Sequence, residues 1–188
     1  MRRCLLLLPL VLGLLPWRQA DAHPHVFIDW RVEPQVEKGA IVGIKLYWRF
    51  DDLYSDLVLE TVDRDRDRKL SPPEIELVAK RTLSNLEKGK FYTHFTVDGR
   101  PWQTDKAVDF TAQIDGDHLI YVFTFALPAP AKQVAVSSYD PEYYIEMLAD
   151  KKQPATGQGF GCKVMRAPPV KLDGWGTLTP DLVDCASR

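Results

Sequence analysis

Twelve residues, Asp63 to Glu74 (D-R-D-R-D-R-K-L-S-P-P-E), constrain local geometry more tightly than any other stretch of the chain. Acidic side chains fall at the first, third, fifth and twelfth positions, the hydroxyl of Ser71 at the ninth, and the one apolar residue, Leu70, at the eighth. This is the ligand spacing of an EF-hand calcium loop. Asp63, Asp65 and Asp67 offer short carboxylates, Lys69 a main-chain carbonyl, Ser71 a hydroxyl and Glu74 a bidentate carboxylate, all oxygen ligands suited to a hard cation. Such a loop joins two helices, and helix-like runs Asp52–Val62 and Pro72–Glu87 flank it. One position departs. The sixth, where the chain turns with positive φ and Gly is usual, is Arg68, at a cost on the order of 1 kcal/mol.

The competing reading is a solvated turn in which four acids and four bases (Arg64, Arg66, Arg68, Lys69) cancel. Leu70, Glu74 and both helical flanks favour the calcium loop. With the Arg side chains directed outward and weakening the site, the expected affinity lies in the extracellular range, roughly 10⁻⁴ to 10⁻³ M.

The compartment is read from the start of the chain. Arg2 and Arg3 precede an apolar run Leu5–Leu15, and Ala20-Asp21-Ala22 has the small-x-small form of a signal-peptidase site. About eleven apolar residues are too few to span a bilayer as a helix. Residues 1–22 are therefore expected to be an export signal, with His23 the first mature residue and residues 23–188 a single periplasmic or secreted domain. The mature chain has 188 − 22 = 166 residues, enough for one core, and a balance of 21 − 25 = −4. That charge gives no electrostatic case for binding nucleic acid. No later segment is long and apolar enough for a transmembrane helix, so an integral membrane protein is not expected. In an oxidising compartment Cys162 and Cys185 are expected to pair, closing a loop of about 24 residues and contributing roughly 3 kcal/mol.

Around the loop the pattern changes to period two. Val26, Ile28, Trp30 and Val32 alternate with polar neighbours, as do Val42, Ile44, Leu46, Trp48 and Phe50 after a turn at Val36–Ala40. Strand patterns return at Phe91–Val97, Val108–Ile114, His118–Ala126, Val134–Ser138 and Cys162–Met165, with turns at Asp98-Gly99 and Asp115-Gly116-Asp117. The chain turns loop-like at Gln153–Gly161, and Ala167–Arg188, rich in Pro and Gly, is expected to be pinned mainly by Cys185. The expected fold is α+β: a mostly antiparallel β-sandwich-like domain of about seven strands with an EF-hand-like helix–loop–helix inserted at residues 51–88.

A second ligand set lies at the predicted mature N-terminus, H-P-H-V-F-I-D. His23 would offer its α-amine and imidazole as a chelate. Pro24 has no amide proton, and His23 and His25 fall on one side of an extended chain. Imidazole and amine ligands suit zinc, copper, nickel or cobalt. His94 and His118 are further candidates, each on a predicted strand, the latter beside Asp117. Tyr139-Asp140-Pro141-Glu142-Tyr143-Tyr144 reads equally as a functional cluster or as a turn in which Asp140 caps a helix turn. No nucleophile motif or phosphate-binding glycine loop is present.

H-P-H-V-F-I-D, D-x-D-x-D-x-x-L-S-x-x-E and S-S-Y-D-P-E-Y-Y, in that order, resemble the bacterial periplasmic proteins of domain-of-unknown-function family one thousand and seven. That family is labelled the periplasmic component of an uncharacterised ABC-type transport system. The resemblance spans roughly residues 23–165 and implies export and a link to transition-metal transport. The expected function is a periplasmic metal-binding accessory protein rather than an enzyme. A transition metal would sit on His23 and His25, with His94 or His118, calcium in the Asp63–Glu74 loop, and a membrane metal transporter would be the partner. The alternatives are a calcium-rigidified interaction module and a histidine-brace copper enzyme.

Overall fold

The structure, a computed structural model, describes residues 24–172 and 174–188. The export-signal reading of residues 1–22 and the amine-bearing His23 lie outside the described residues.

β1 (Val26–Glu37) and β2 (Ala40–Phe50) form the expected hairpin, closed at Lys38 and Gly39, both with positive φ as a tight primed turn requires. The alternation places Val26, Ile28, Trp30 and Val32 inward, each less than a tenth exposed. Val42 does not follow the pattern. A bulge between Ile41 and Gly43 skips it in the pairing, and Ile41 takes the buried position instead. Gly43 is required here, because a Cβ would stand 2.9 Å from the Phe125 carbonyl oxygen.

The chain then leaves the sheet through α1 (Asp52–Val62) and α2 (Pro72–Lys88) and re-enters at β3 (Thr93–Val97), β4 (Arg100–Trp102), β5 (Asp109–Asp115), β6 (His118–Ala131), β7 (Gln133–Ser138), β8 (Ile145–Ala149) and β9 (Phe160–Arg166). A small hairpin, β10 (Val170–Leu172) and β11 (Gly176–Leu178), leads to β12 (Asp181–Ser187). One five-stranded sheet has the order β5-β6-β2-β1-β8 and a second β4-β3-β7-β12-β9. The helical pair is thus the crossover from the first sheet to the second. Aromatic side chains lock the layers: Phe95 on β3 meets Phe125 on β6 at 5.3 Å, and Phe91 meets Phe123 at 5.2 Å.

The expected count of about seven strands is corrected. Twelve strands form among the described residues; the sheets are mostly antiparallel, as expected, with β8 pairing with β1 in parallel. The C-terminal stretch supplies a strand that no sequence pattern marked, since β12 lies inside the second sheet between β7 and β9. Its buried Asp181 and Asp184 hide the strand pattern. Asp181 accepts from Arg166 at 2.7 Å and Asp184 from Gln133 at 2.7 Å, which compensates their burial. Cys162 and Cys185 form the expected disulfide, opposite each other on β9 and β12.

α1 is tied to the first sheet by side chains its sequence supplies. The Asp51 carboxylate caps the helix through Tyr54 N–H at 2.9 Å and accepts from Phe27 N–H at 2.8 Å. Ser55, fully buried, donates to the Asp51 carbonyl at 2.7 Å and accepts from the Leu119 N–H of β6 at 2.9 Å. These bonds set the floor on which the loop is built.

Candidate metal centre

Asp63 is the C-cap of α1, and Ser71 is the N-cap of α2, with Pro72 and Pro73 in its first turn. Ser71 and Glu74 form a capping box, in which Glu74 accepts from the Ser71 N–H at 2.9 Å and hydroxyl at 2.7 Å. The S-x-x-E spacing was present in the sequence; it overlaps the ninth and twelfth calcium-loop positions, so one pair of residues serves both patterns. Between the caps the backbone turns left-handed at Arg66 (φ 58°) and Arg68 (φ 57°). The sixth position therefore adopts the positive φ the loop needs despite its side chain. Its N–H donates to Asp63 Oδ2 at 3.0 Å, folding the loop back on its first residue. Asp65 accepts from Asp67 N–H at 3.3 Å and Asp67 from Lys69 N–H at 2.8 Å. Leu70 packs on the core.

Asp63, Asp65 and Asp67 present ligand oxygens within 4.8 Å of one another, the one group of three or more His, Cys, Asp or Glu side chains so arranged among the described residues. Two oxygens held about 2.4 Å from one calcium lie at most about 4.8 Å apart, so the spacing suits that ion. Asp63 is only 7 % exposed, and its second oxygen, Oδ1, is buried without a hydrogen-bond donor. An unpaired buried carboxylate oxygen is costly, by about 1–3 kcal/mol or more, unless something else meets it. Burial of this atom without a donor is compatible with an ion site. The Asp67 N–H lowers the Asp65 pKa, but desolvation and the charges of Asp67 and Glu74 raise it further, leaving it above the ordinary carboxylate value. Glu74 lies below that value, held ionised by the Ser71 hydroxyl and by the Arg64 and Ser71 amides. Its two oxygens already accept three bonds, leaving part of their lone-pair capacity for a cation.

The Arg side chains do not all merely face solvent. Arg68 reaches Asp117 Oδ1 at 2.9 Å and Asp56 at 3.9 Å, tying the loop to the β5–β6 turn and to α1.

The histidines are held separately. His25 precedes β1, donates its N–H to the Tyr144 carbonyl at 2.9 Å and packs its ring on Tyr144 at 4.9 Å. His94, on β3 in the second sheet, stacks face to face on Tyr139 at 4.3 Å. Desolvation, then Lys90, holds its pKa below the usual imidazole value. His118 begins β6 in the first sheet, its Nδ1 2.8 Å from the Phe50 carbonyl and 3.0 Å from Asp52. Asp52, rather than the neighbouring Asp117, is the carboxylate that orients it. Among the described residues no three-ligand group contains a histidine.

Asp140 is a structural residue. Nearly buried, it accepts from the amides of Glu142, Tyr144 and Ile145 at 2.9–3.0 Å. It closes a turn into β8, where a helix turn was one expectation.

A family model described as a protein of unknown function (DUF1007) matches residues 8–182. No curated protein and no solved structure gives a significant match.

Proposed function

We propose, from the premise that the chain belongs to the DUF1007 family of proteins of unknown function, that it is an exported metal-binding protein whose Asp63–Glu74 loop takes calcium. One observation carries the reading. Asp63 has one oxygen fixed by the Arg68 N–H and the other buried without a donor, within a three-carboxylate group of calcium-compatible spacing. Calcium supplies the charge that this cluster lacks and draws the ends of α1 and α2 to one centre. Asp63, Asp65 and Asp67 would hold the ion, with Ser71, Glu74 and the Lys69 carbonyl completing the set. Calorimetric titration of the purified protein with calcium, magnesium and a chelator control tests this. Binding near 10⁻⁴ to 10⁻³ M that is lost in Asp63→Asn supports it. Absence of calcium binding at millimolar concentrations overturns it.

The link to transition-metal transport is a second part of the proposal. Support comes from the H-P-H start of the predicted mature chain and from His25, whose backbone and ring are fixed on Tyr144. His23 and His25 would hold zinc, copper, nickel or cobalt for a membrane transporter. The export signal expected from the sequence and the disulfide fit a periplasmic setting. Titration with the four ions tests the site. Binding no tighter than about 10 μM, or unchanged in a His23→Ala/His25→Ala variant, removes it.

A further inference from the structure

A cavity of about 460 Å³ lies between the helical pair and the core face of the first sheet. Tyr54 and Val58 of α1, Val78 and Leu86 of α2, and Trp48 and Tyr121 of the sheet form its apolar wall. The volume falls within the range of small-molecule sites, roughly 300–1,000 Å³, and the mix of aromatic wall with few polar groups matches them. The polar lining comes mainly from the helices, Thr61 of α1 and Arg81, Thr82 and Asn85 of α2.

The charge pattern selects the ligand. Among the described residues no carboxylate lines the cavity, and Arg81 is the one charged lining residue. Arg81 donates to the hydroxyl of Thr61 at 2.8 Å and forms no ion pair among the described residues. A guanidinium presents five donors in a fork that matches a carboxylate, so most of its capacity is left over. The interior, in contrast, disfavours charge: burial pushes the phenols of Tyr54 and Tyr121 upward, keeping them neutral. An anion would therefore sit at Arg81 with its apolar part inside. The exposed Leu53 and Leu57 of α1 are not part of this wall, which favours a small molecule over a docked helix.

We propose that this cavity binds a small amphipathic organic acid, its chain or ring against the aromatic wall and its carboxylate on Arg81. Of the helices that frame the cavity, α1 ends and α2 begins at the Asp63–Glu74 loop, so an ion there would adjust its width; this clause alone rests on the calcium reading.

Competition titrations against the fluorescent probe 1-anilinonaphthalene-8-sulfonate test it, using dodecanoate, dodecanol and dodecylamine below their aggregation limits. Dodecanoate should displace the probe at least about tenfold more effectively than dodecanol, the worth of one charge-assisted bidentate contact. Arg81→Gln, on the exposed side of α2, should erase that difference while leaving the melting temperature unchanged. Val58→Phe, which fills the cavity, should weaken both ligands. Equal displacement by dodecanoate and dodecanol in the unaltered protein overturns the proposal, as does an unchanged preference in Arg81→Gln. Displacement by an amphipathic helical peptide and not by dodecanoate overturns it in favour of a protein partner. Repeating the titration in calcium and in chelator reads the coupling separately: a shifted affinity supports it, and equal affinities overturn the coupling while the cavity site stands.

Discussion

Arg68 Nη2 stands 2.9 Å from Asp117 Oδ1, joining the sixth position of the acidic loop to the β5–β6 turn, 49 residues further along the chain. The contact is exposed, so its direct stabilisation is small, about 0–1 kcal/mol. Its effect is geometric. The backbone of Arg68 is left-handed, its N–H holds Asp63, and its side chain reaches the sheet. Position six therefore trades glycine's conformational freedom for an attachment between the acidic loop and the sandwich.

Arg68→Gly should separate these two effects. Glycine relieves the left-handed backbone by about 1 kcal/mol and removes the side chain that ties the loop to Asp117. Calcium affinity should rise severalfold, measured by calorimetry, while amide exchange at the β5–β6 turn should speed up. Slower exchange at that turn, or weaker calcium binding, would contradict this account of Arg68.

Glu74 caps α2, and the proposed calcium-ligand role is one that substitution can separate from capping. Gln at the third helix position still serves a capping box, so Glu74→Gln should leave the metal-free melting temperature within a few degrees of the parent. Its calcium affinity should fall at least tenfold, since a bidentate carboxylate becomes a neutral amide. Ser71→Ala should do the reverse in the metal-free state, costing about 1 kcal/mol through the lost cap. Thermal melts with and without calcium check both.

The pH dependence has a definite sign. The Asp65 pKa is raised in the folded, metal-free chain, so its ionisation opposes folding as pH rises through the ordinary carboxylate range. Glu74 is lowered, so its contribution is complete above its unfolded value and is lost as pH falls through its folded value. A cation relieves the first effect and competes with protons at both groups. Calcium should therefore stabilise the protein more at neutral pH than at pH 4, with the difference growing across the carboxylate range. Melting curves at several pH values, with calcium or chelator, measure it. A calcium-induced shift that is independent of pH would place the ion elsewhere.

Much of this arrangement is legible in the residues, and the exceptions share a cause. Val26–Val32 and Val42–Phe50 show period-two patterns because one face meets the core, and Asp-Gly pairs mark hairpins because they accept positive φ. β12 escapes the same reading because Asp181 and Asp184 are buried on it, with partners supplied by β7, β8 and β9. β8 escapes because a short parallel partner of β1 is specified by tertiary contact rather than by a local turn. The acidic loop can be read from spacing alone, whereas the cavity needs Tyr54, Arg81 and Tyr121 brought together from three elements. Local chemistry is visible in sequence; convergence between distant segments is not.

Ser55 gives the sharpest test of how the insert is held on the sheet. Its hydroxyl bridges the Asp51 carbonyl at the start of α1 and the Leu119 N–H of β6, and the side chain has no exposed surface. Ser55→Ala leaves the Leu119 amide buried without an acceptor, a cost of about 1–3 kcal/mol. Ser55→Cys nearly preserves the volume but offers only a weak acceptor, so it should fall between the two. The loss should localise: exchange at the Leu119 amide and the first turn of α1 should accelerate more than exchange in the β7–β12 pairing. Since α1 carries Asp63 at its far end, calcium affinity should weaken with the same order, parent above Ser55→Cys above Ser55→Ala. An alanine variant that loses stability yet binds calcium as tightly as the parent would show that the loop forms its site without support from the sheet.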